Sequence, residues 1–384
     1  MHGQPRCDRP DTSSRRLRNC VGALDYTGSV RATVHTLPPG SQGLSASHFI
    51  PFMKPTIGIS FDGFASLSES LLIAREAEAA GASSLWMAEH LGYRDSLGSC
   101  MAFALNTSRV KIVPTAISPY LRNPVPLAMA MATLAEAAPG RVGIAIGVGN
   151  PLFLAEAGVT MAKPLTANRE YLQALRGLWT GEPVTMPEAM LHKLAGARMM
   201  FRPPEPIPIY LAPMKEQNLR LAGRLADGVV LSAGLSADYV RESLAFVSAG
   251  AGEGGRDTAD VRRAAYVFFM ASDTDPRSAF EKSRRKLAFV MRNRYLDEAI
   301  AHSGIPVDQQ AIIEAIGRRD IDEATRLVPD EAVEAFTVTG TRAQCAQQLE
   351  RYFAAGIEEA VLLLVGEAHE RADSLAVIRE YAAA

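Results

Sequence analysis

The segment TIGISFDGFASLSESLLIAREAEAAGASSLWMAEH, Thr56 to His90, decides the fold. Each end is a short apolar run with β-branched or aromatic residues, of strand length. Between them, Ser66-x-x-Glu69 makes a capping box, an Ala/Leu/Glu-rich stretch follows, and Gly81 supplies a stop. Strand, helix and strand in so few residues predict a right-handed crossover joining parallel strands. The second strand ends in Glu89-His90, two groups costly to bury. The cost disappears if the carboxyl end of that strand opens into a ligand cleft.

The same alternation continues along the chain. Strands are predicted at 56–62, 84–90, 110–118, 141–149, 207–213, 228–233, 263–272 and 360–366, with helical segments such as NPVPLAMAMATLAEAAPG and NLRLAGRLADG between them. Eight such units predict one α/β domain, a closed (β/α)8 TIM barrel over 53–384. Two spacings exceed a simple unit, Asn150 to Pro206 and Asp273 to Glu359, and read as insertions after the fourth and seventh strands. In such a barrel, chemistry gathers at the carboxyl ends of the strands. Asp62, His90, Ser118, Gly147 to Asn150, Ala212 to Gln217 and Ser232 are thereby brought to one rim.

The totals narrow the function classes. With 384 residues, 48% of them hydrophobic, and a net charge of -2, the chain can bury a large core and carries no nucleic-acid footprint. No apolar run approaches the ~20 residues of a membrane helix. Cys7, Cys20, Cys100 and Cys345 lie far apart without metal-ligand spacing, so neither a disulfide framework nor a metal site is expected, and a reducing cytoplasm is. Residues 1–52 are rich in Arg, Ser, Pro and Gly and lack periodicity. They read as a disordered extension or as lying upstream of the true start, since the patterned chain opens with MKPTIGISFDG at Met53; a targeting peptide is opposed by Asp8, Asp11 and Asp25.

Four collinear motifs carry a family resemblance: AREAEAAGASSLWMAEH, TSRVKIVPTAISPYLRNPVPLAMAMATLAEAAPGRVGIAIGVGN, NREYLQALRGLWTGEPV and IPIYLAPMKEQNLRLAGRLADGVVLSAG. From about Pro55 through Gly366 the chain resembles the bacterial luciferase-like superfamily of flavin- and deazaflavin-dependent oxidoreductases, in detail its methylenetetrahydromethanopterin-reductase-like branch. The resemblance implies FMN or the deazaflavin coenzyme F-420 as cofactor. It also implies that His90 handles a proton beside the ring, with Glu89 orienting it or contacting the cofactor; imidazole ordinarily titrates near neutrality and suits that task. The bland alternative is a surface or helix-capping histidine.

Relatives carry a non-prolyl cis peptide behind the ring, which the resemblance places at Thr115-Ala116, with Ser118 at the slot's edge. An ordinary strand-to-turn transition at Ser118-Pro119 is the alternative. Gly147, Gly149 and Asn150, in GVGN, would let the cofactor approach the backbone, or would simply pack tightly; the stretch lacks the GxGxxG spacing of a dinucleotide fold. Ala212, Pro213, Met214, Lys215 and Gln217 occupy a strand-to-helix turn able to hold an anion. Relatives show Gly-Pro there, whereas this chain has Lys215-Glu216, one charge favouring a phosphate and one opposing it. Trp86, Trp179, Cys100 and the methionines read as packing, and loops around Phe153 and Met186 as covers for the rim.

The expected function is hydride transfer to or from an organic substrate, or FMN-dependent monooxygenation acting on paired donors with molecular oxygen. Reducing equivalents would come from a separate flavin reductase or the deazaflavin pool. The alternative is a non-catalytic flavin-binding barrel, suggested by Lys215-Glu216. The partners expected are a small-molecule substrate and, by resemblance, a second copy in a homodimer or larger homo-oligomer, with neither nucleic acid nor membrane.

Overall fold

Strand residues recur where the alternation placed them. The computed structural model describes residues 54–383; the extension expected at 1–52 lies outside the described residues. The strands are β1 (Thr56–Phe61), β2 (Ser84–Ala88), β3 (Lys111–Thr115), β4 (Ile144–Ile146), β5 (Val184–Met186), β6 (Leu194–Ala197), β7 (Ile209–Leu211), β8 (Gly228–Leu231), β9 (Arg262–Ala271), β10 (Val338–Gly340) and β11 (Glu359–Leu364). The helices that concern the site are α1 (Leu67–Ala80), α2 (Ser96–Asn106), α3 (Pro124–Ala137), α4 (Pro151–Glu156), α5 (Pro164–Trp179), α6 (Glu216–Leu225), α7 (Ala237–Glu253), α8 (Pro276–Met291) and α9 (Asp297–Ser303).

Eight parallel strands follow the order β3-β2-β1-β11-β9-β8-β7-β4. The circle closes between β3 and β4 through isolated bridges at Ile112–Val142 and Ile117–Ile146. Ile117 N–H donates to the Ala145 carbonyl at 2.8 Å and Gly147 N–H to the Ile117 carbonyl at 3.1 Å. The result is the predicted (β/α)8 barrel.

Inward-facing residues fill the cylinder. Trp86, Val113, Ala145, Tyr210, Val230, Ala264 and Val361, one from each of seven strands, form a buried plug. On the eighth strand, Gly58 leaves space for its neighbours' side chains, since a Cβ there would run into Ser84 Oγ and lie 2.8 Å from Glu359 Oε1 and 3.2 Å from Trp86 Nε1. Outside, α1 lays Ala74, Ala77 and Ala80 against the sheet, small residues that let it approach closely. Its ends obey the sequence signals: Ser66 Oγ accepts the Glu69 N–H at 3.2 Å, and Gly81 closes the helix in the left-handed region at φ 93°.

The insertions lie where the long spacings put them, with strands that had no sequence signal. β5 and β6 form an antiparallel hairpin, and β10 pairs with the far half of the ten-residue β9. At three or four residues each they are too short to show a period. Among the described residues no helix is long and apolar enough to cross a membrane.

One polar clasp offers a test of the fold. The Glu78 carboxylate, at the end of α1, receives the backbone N–H groups of Ser108, Arg109 and Val110 ahead of β3, at 2.9, 2.7 and 3.1 Å. Desolvation pushes its pKa up, but those three bonds outweigh it and hold the group below the ordinary 4.5. Glu78→Ala is therefore expected to lower stability by about 1–2 kcal/mol near neutral pH. Because the folded-state value is depressed, the carboxylate's contribution is present above the ordinary 4.5 and lost as pH falls through the lower folded-state value. Urea midpoints of wild type and variant should converge in that acid range; a gap that stays constant would refute the assignment.

Candidate active site

At the carboxyl ends of the strands the barrel opens into a cavity of about 360 Å³. Its walls come from seven strand ends and from both insertions. Of the fourteen sequence-predicted site residues, twelve line it: Asp62, Glu89, His90, Thr115, Ala116, Gly147, Gly149, Asn150, Ala212, Pro213, Met214 and Lys215. Ser118 and Gln217 do not. Ser118 is buried behind Gly149, donating its hydroxyl to the Val148 carbonyl at 3.0 Å, and Gln217 points outward from the first turn of α6 into solvent. Asn218, the next residue, faces the cavity instead. The peptide between Thr115 and Ala116 is cis.

His90 sits just beyond β2. Its Nδ1 lies 2.9 Å from the Asp62 carbonyl oxygen at the end of β1. A carbonyl only accepts, so Nδ1 carries the hydrogen and the lone pair of the neutral ring is on Nε2. Aromatic neighbours brace the ring: Phe64, Tyr93 and Phe153 have centroids 5.8, 6.4 and 5.9 Å away. Phe153 comes from α4 and covers the rim as expected. Met186 does not; it packs beside Tyr171 and His192 over the outer face of α5.

Glu89 has other partners than the expected one. Its carboxylate is held by Arg122, with Nε at 2.6 Å and Nη2 at 3.1 Å, and by the Ser96 hydroxyl. Arg122 also bonds Asp95, the N-cap of α2. Desolvation would raise Asp95, but the Gly98 N–H and Arg122 hold it below its ordinary 3.8. This is a fixed ion network between the ends of β2 and β3, and the Asp62 carbonyl is what orients His90.

The cavity floor contains groups that sequence reasoning missed. Tyr266 of β9 donates its hydroxyl to Thr115 Oγ1 at 3.0 Å, leaving the threonine O–H to seek an acceptor elsewhere. Burial pushes the phenol far above its ordinary 10.0, so it stays a donor. Asn168 of α5, 2% exposed, donates Nδ2–H to Asn218 Oδ1 at 3.2 Å, but its own Oδ1 has no partner among the described residues. Tyr266 is inward-facing by strand alternation, a signal that was available; nothing in the sequence aims Asn168 inward.

At the β7–α6 turn, Lys215 Nζ lies 3.0 Å from Asp297 and 2.7 Å from Glu298 of α9. Burial alone would lower its pKa, and the two carboxylates more than reverse that. Glu216, the feared repulsive charge, turns outward and pairs with Arg220 at 2.7 Å. No side chain caps the start of α6; the Asn218 and Leu219 N–H groups turn back to the Lys215 carbonyl at 3.0 Å, and Lys215 and Asn218 line the cavity. Trp86 and Trp179 are packing residues as expected, and Cys100 is fully buried in α2.

The arrangement suits a flat heterocycle. Gly147 lies between two strand ends so closely that a Cβ would come within 3.0 Å of Ala116 Cβ and 3.2 Å of the Ala212 oxygen. An apolar slot walled on one side by the close-packed face of Ala116, Gly147 and Ala212, an unpartnered amide oxygen on Asn168, and the uncapped start of α6 at Lys215 match a planar ring with an N–H edge and an anionic tail.

Comparison with known proteins bears on this geometry. The family model described as luciferase-like monooxygenase matches residues 44–359. A 5,10-methylenetetrahydromethanopterin reductase of Methanolobus tindarius is 30% identical over 308 residues, 80% of this chain and 93% of the relative. An F-420-dependent glucose-6-phosphate dehydrogenase of Kineococcus radiotolerans is 32% identical over 222 residues, 54% of this chain and 65% of the relative. Among solved structures, the coenzyme F-420-dependent tetrahydromethanopterin reductase of Methanopyrus kandleri superposes with a TM-score of 0.76 at 25% identity, covering 85% of this chain and 97% of that one.

Proposed function

We propose, from the premise that the chain belongs to the luciferase-like monooxygenase family and is an oxidoreductase, that its rim cavity binds deazaflavin coenzyme F-420 and exchanges a hydride with a small organic substrate. FMN is the second cofactor that the slot fits. The names of the similar reductases and dehydrogenases favour the deazaflavin. The single observation that carries the reading is the juxtaposition, at one strand-end cavity, of the Gly147 slot with a histidine whose Nε2 lone pair is set by the Asp62 carbonyl.

Ala116, Gly147 and Ala212 would flank the ring, Asn168 Oδ1 and the Thr115 hydroxyl would meet its polar edge, and the α6 turn with Lys215 would face its phosphate. When bound, the ring supplies the hydride acceptor or donor that no side chain provides. His90 Nε2 takes the proton that a substrate hydroxyl or amine releases on oxidation, and returns it in the reverse direction. Glu89 acts indirectly, since Arg122 and Ser96 occupy its carboxylate. Phe153, Met161 and Tyr295 from the insertions line the mouth and would narrow the access of water once the ring is bound.

Titration with F-420 and, separately, FMN tests the reading. One of them should bind at one equivalent with a change in its visible spectrum. Gly147→Val should weaken that binding by ~10- to 100-fold, the ~1–3 kcal/mol of an overfilled site, without loss of the folded state. Absence of binding by both would overturn the proposal.

A further inference from the structure

Beside the rim cavity, and sharing Ser60, Asp62 and Leu363 with it, lies a second cavity of about 240 Å³ between the barrel wall and the outer helices. Two cations line it: Lys286 of α8, and Arg371, the first residue of the helix Arg371–Ala383. Arg371 is 6% exposed, yet no hydrogen bond reaches it from the described residues. Its Nε is buried without a partner, and the nearest carboxylate, Glu69, stands 3.9 Å from Nη1 and is half exposed.

A guanidinium stays charged and presents five donors in a rigid fork, so an unsatisfied buried one calls for an acceptor. The contrast with Arg284 is direct: at 8% exposure it is bonded to the Val328 carbonyl, Asp330 and Glu281. The other acid of the cavity, Asp62, is already committed, with Oδ1 accepting the Phe64 N–H at 3.0 Å and Oδ2 lying 3.5 Å from Lys286 Nζ. The cavity exceeds what a single water requires, and the residues it shares with the rim cavity put the two side by side at the ends of β1 and β11.

We propose that this side cavity is an oxyanion site in which a carboxylate or phosphate group of the substrate seats against Arg371, with Lys286 at its edge. The rest of the substrate passes Ser60 and Leu363 to reach His90. The link to the substrate rests on the function proposed above, whereas the anion site stands on Arg371 alone.

Calorimetric titration of the cofactor-free protein with inorganic phosphate, and separately with acetate, tests it. At least one should show a binding step that Arg371→Gln weakens tenfold or more and that Lys215→Ala preserves; phosphate alone assigns a phosphorylated substrate, acetate alone a carboxylic one. At about ten times its wild-type Kd the oxyanion should raise the melting midpoint of wild type by about 2 °C and that of Arg371→Gln by less than about 1 °C. Without anion, Arg371→Gln should melt no lower than wild type, because it removes an unmet buried charge. The proposal falls if neither oxyanion binds, if binding is lost in Lys215→Ala and survives in Arg371→Gln, or if the anion-free variant melts several degrees lower, which would make Arg371 a structural partner of Glu69. Coenzyme binding is scored separately by absorption, so its failure would refute the proposed function without touching this result, and the reverse.

Discussion

Replacing His90 with alanine is expected to lower kcat by ~10²- to 10³-fold while leaving coenzyme affinity within about threefold. The reason is the division of labour at the rim. The slot is made by Ala116, Gly147 and Ala212, whereas His90 contributes a nitrogen whose lone pair is fixed by one hydrogen bond to the Asp62 carbonyl. His90→Asn separates the proton from the geometry, since its amide can still donate to that carbonyl but cannot exchange a proton near neutral pH. Steady-state rates of both variants, measured beside spectral titration of the coenzyme, decide the matter. Unchanged kcat in both would remove His90 from the chemistry.

The second large effect is on stability. A Cβ on Gly250 of α7 would run into the Arg220 carbonyl and lie 2.6 Å from Arg220 Cα, and one on Gly223 of α6 would meet the Val247 carbonyl and lie 2.6 Å from the Ala251 nitrogen. The two helices touch backbone to backbone at a reciprocal pair of glycines. Gly250→Val is expected to cost about 3 kcal/mol or more, because the obstacle is main chain that no rotamer change relieves. It should also weaken coenzyme binding in the fraction that stays folded, since α6 begins at the Lys215 turn and carries Asn218 to the cavity. Denaturant midpoints and coenzyme titration of the same samples check both halves. A variant as stable as wild type would show that the helices part without cost.

The barrel was readable because its eight strands repeat one chemical pattern, and each is present. The predicted runs overshoot at the rim: 110–118 became Lys111–Thr115 and 141–149 became Ile144–Ile146. The letters continue to read as strand, but the regular ladder ends where the cavity opens, and Ala116 and Gly147 to Gly149 line it there. Resemblance placed the cis bond at Thr115-Ala116, where it is found; composition alone could not. What escaped depended on distance in the chain. The partner of Glu89 is 33 residues away, that of Lys215 is 82 away, and Asn168 is brought inward by helix orientation. Ser118 and Gln217 fell outside the cavity for local reasons: the Ser118 hydroxyl turns back to the Val148 carbonyl, and Gln217 lies on the solvent side of α6, whose next residue, Asn218, lines the cavity.

The pairing of β10 with the far half of β9 has a bearing on access. Asn293 and Tyr295 reach the mouth from a segment that leaves the barrel after Ala271 of β9 and rejoins it at Val338 of β10. With Leu296, Ala299 and Ile300 buried in the main core beside it, the stretch that carries Asn293 and Tyr295 is built into the rim rather than hung over it as a swinging cover. Which molecules enter is then a matter of bore and lining, adjustable by exchanging single side chains without retuning a hinge.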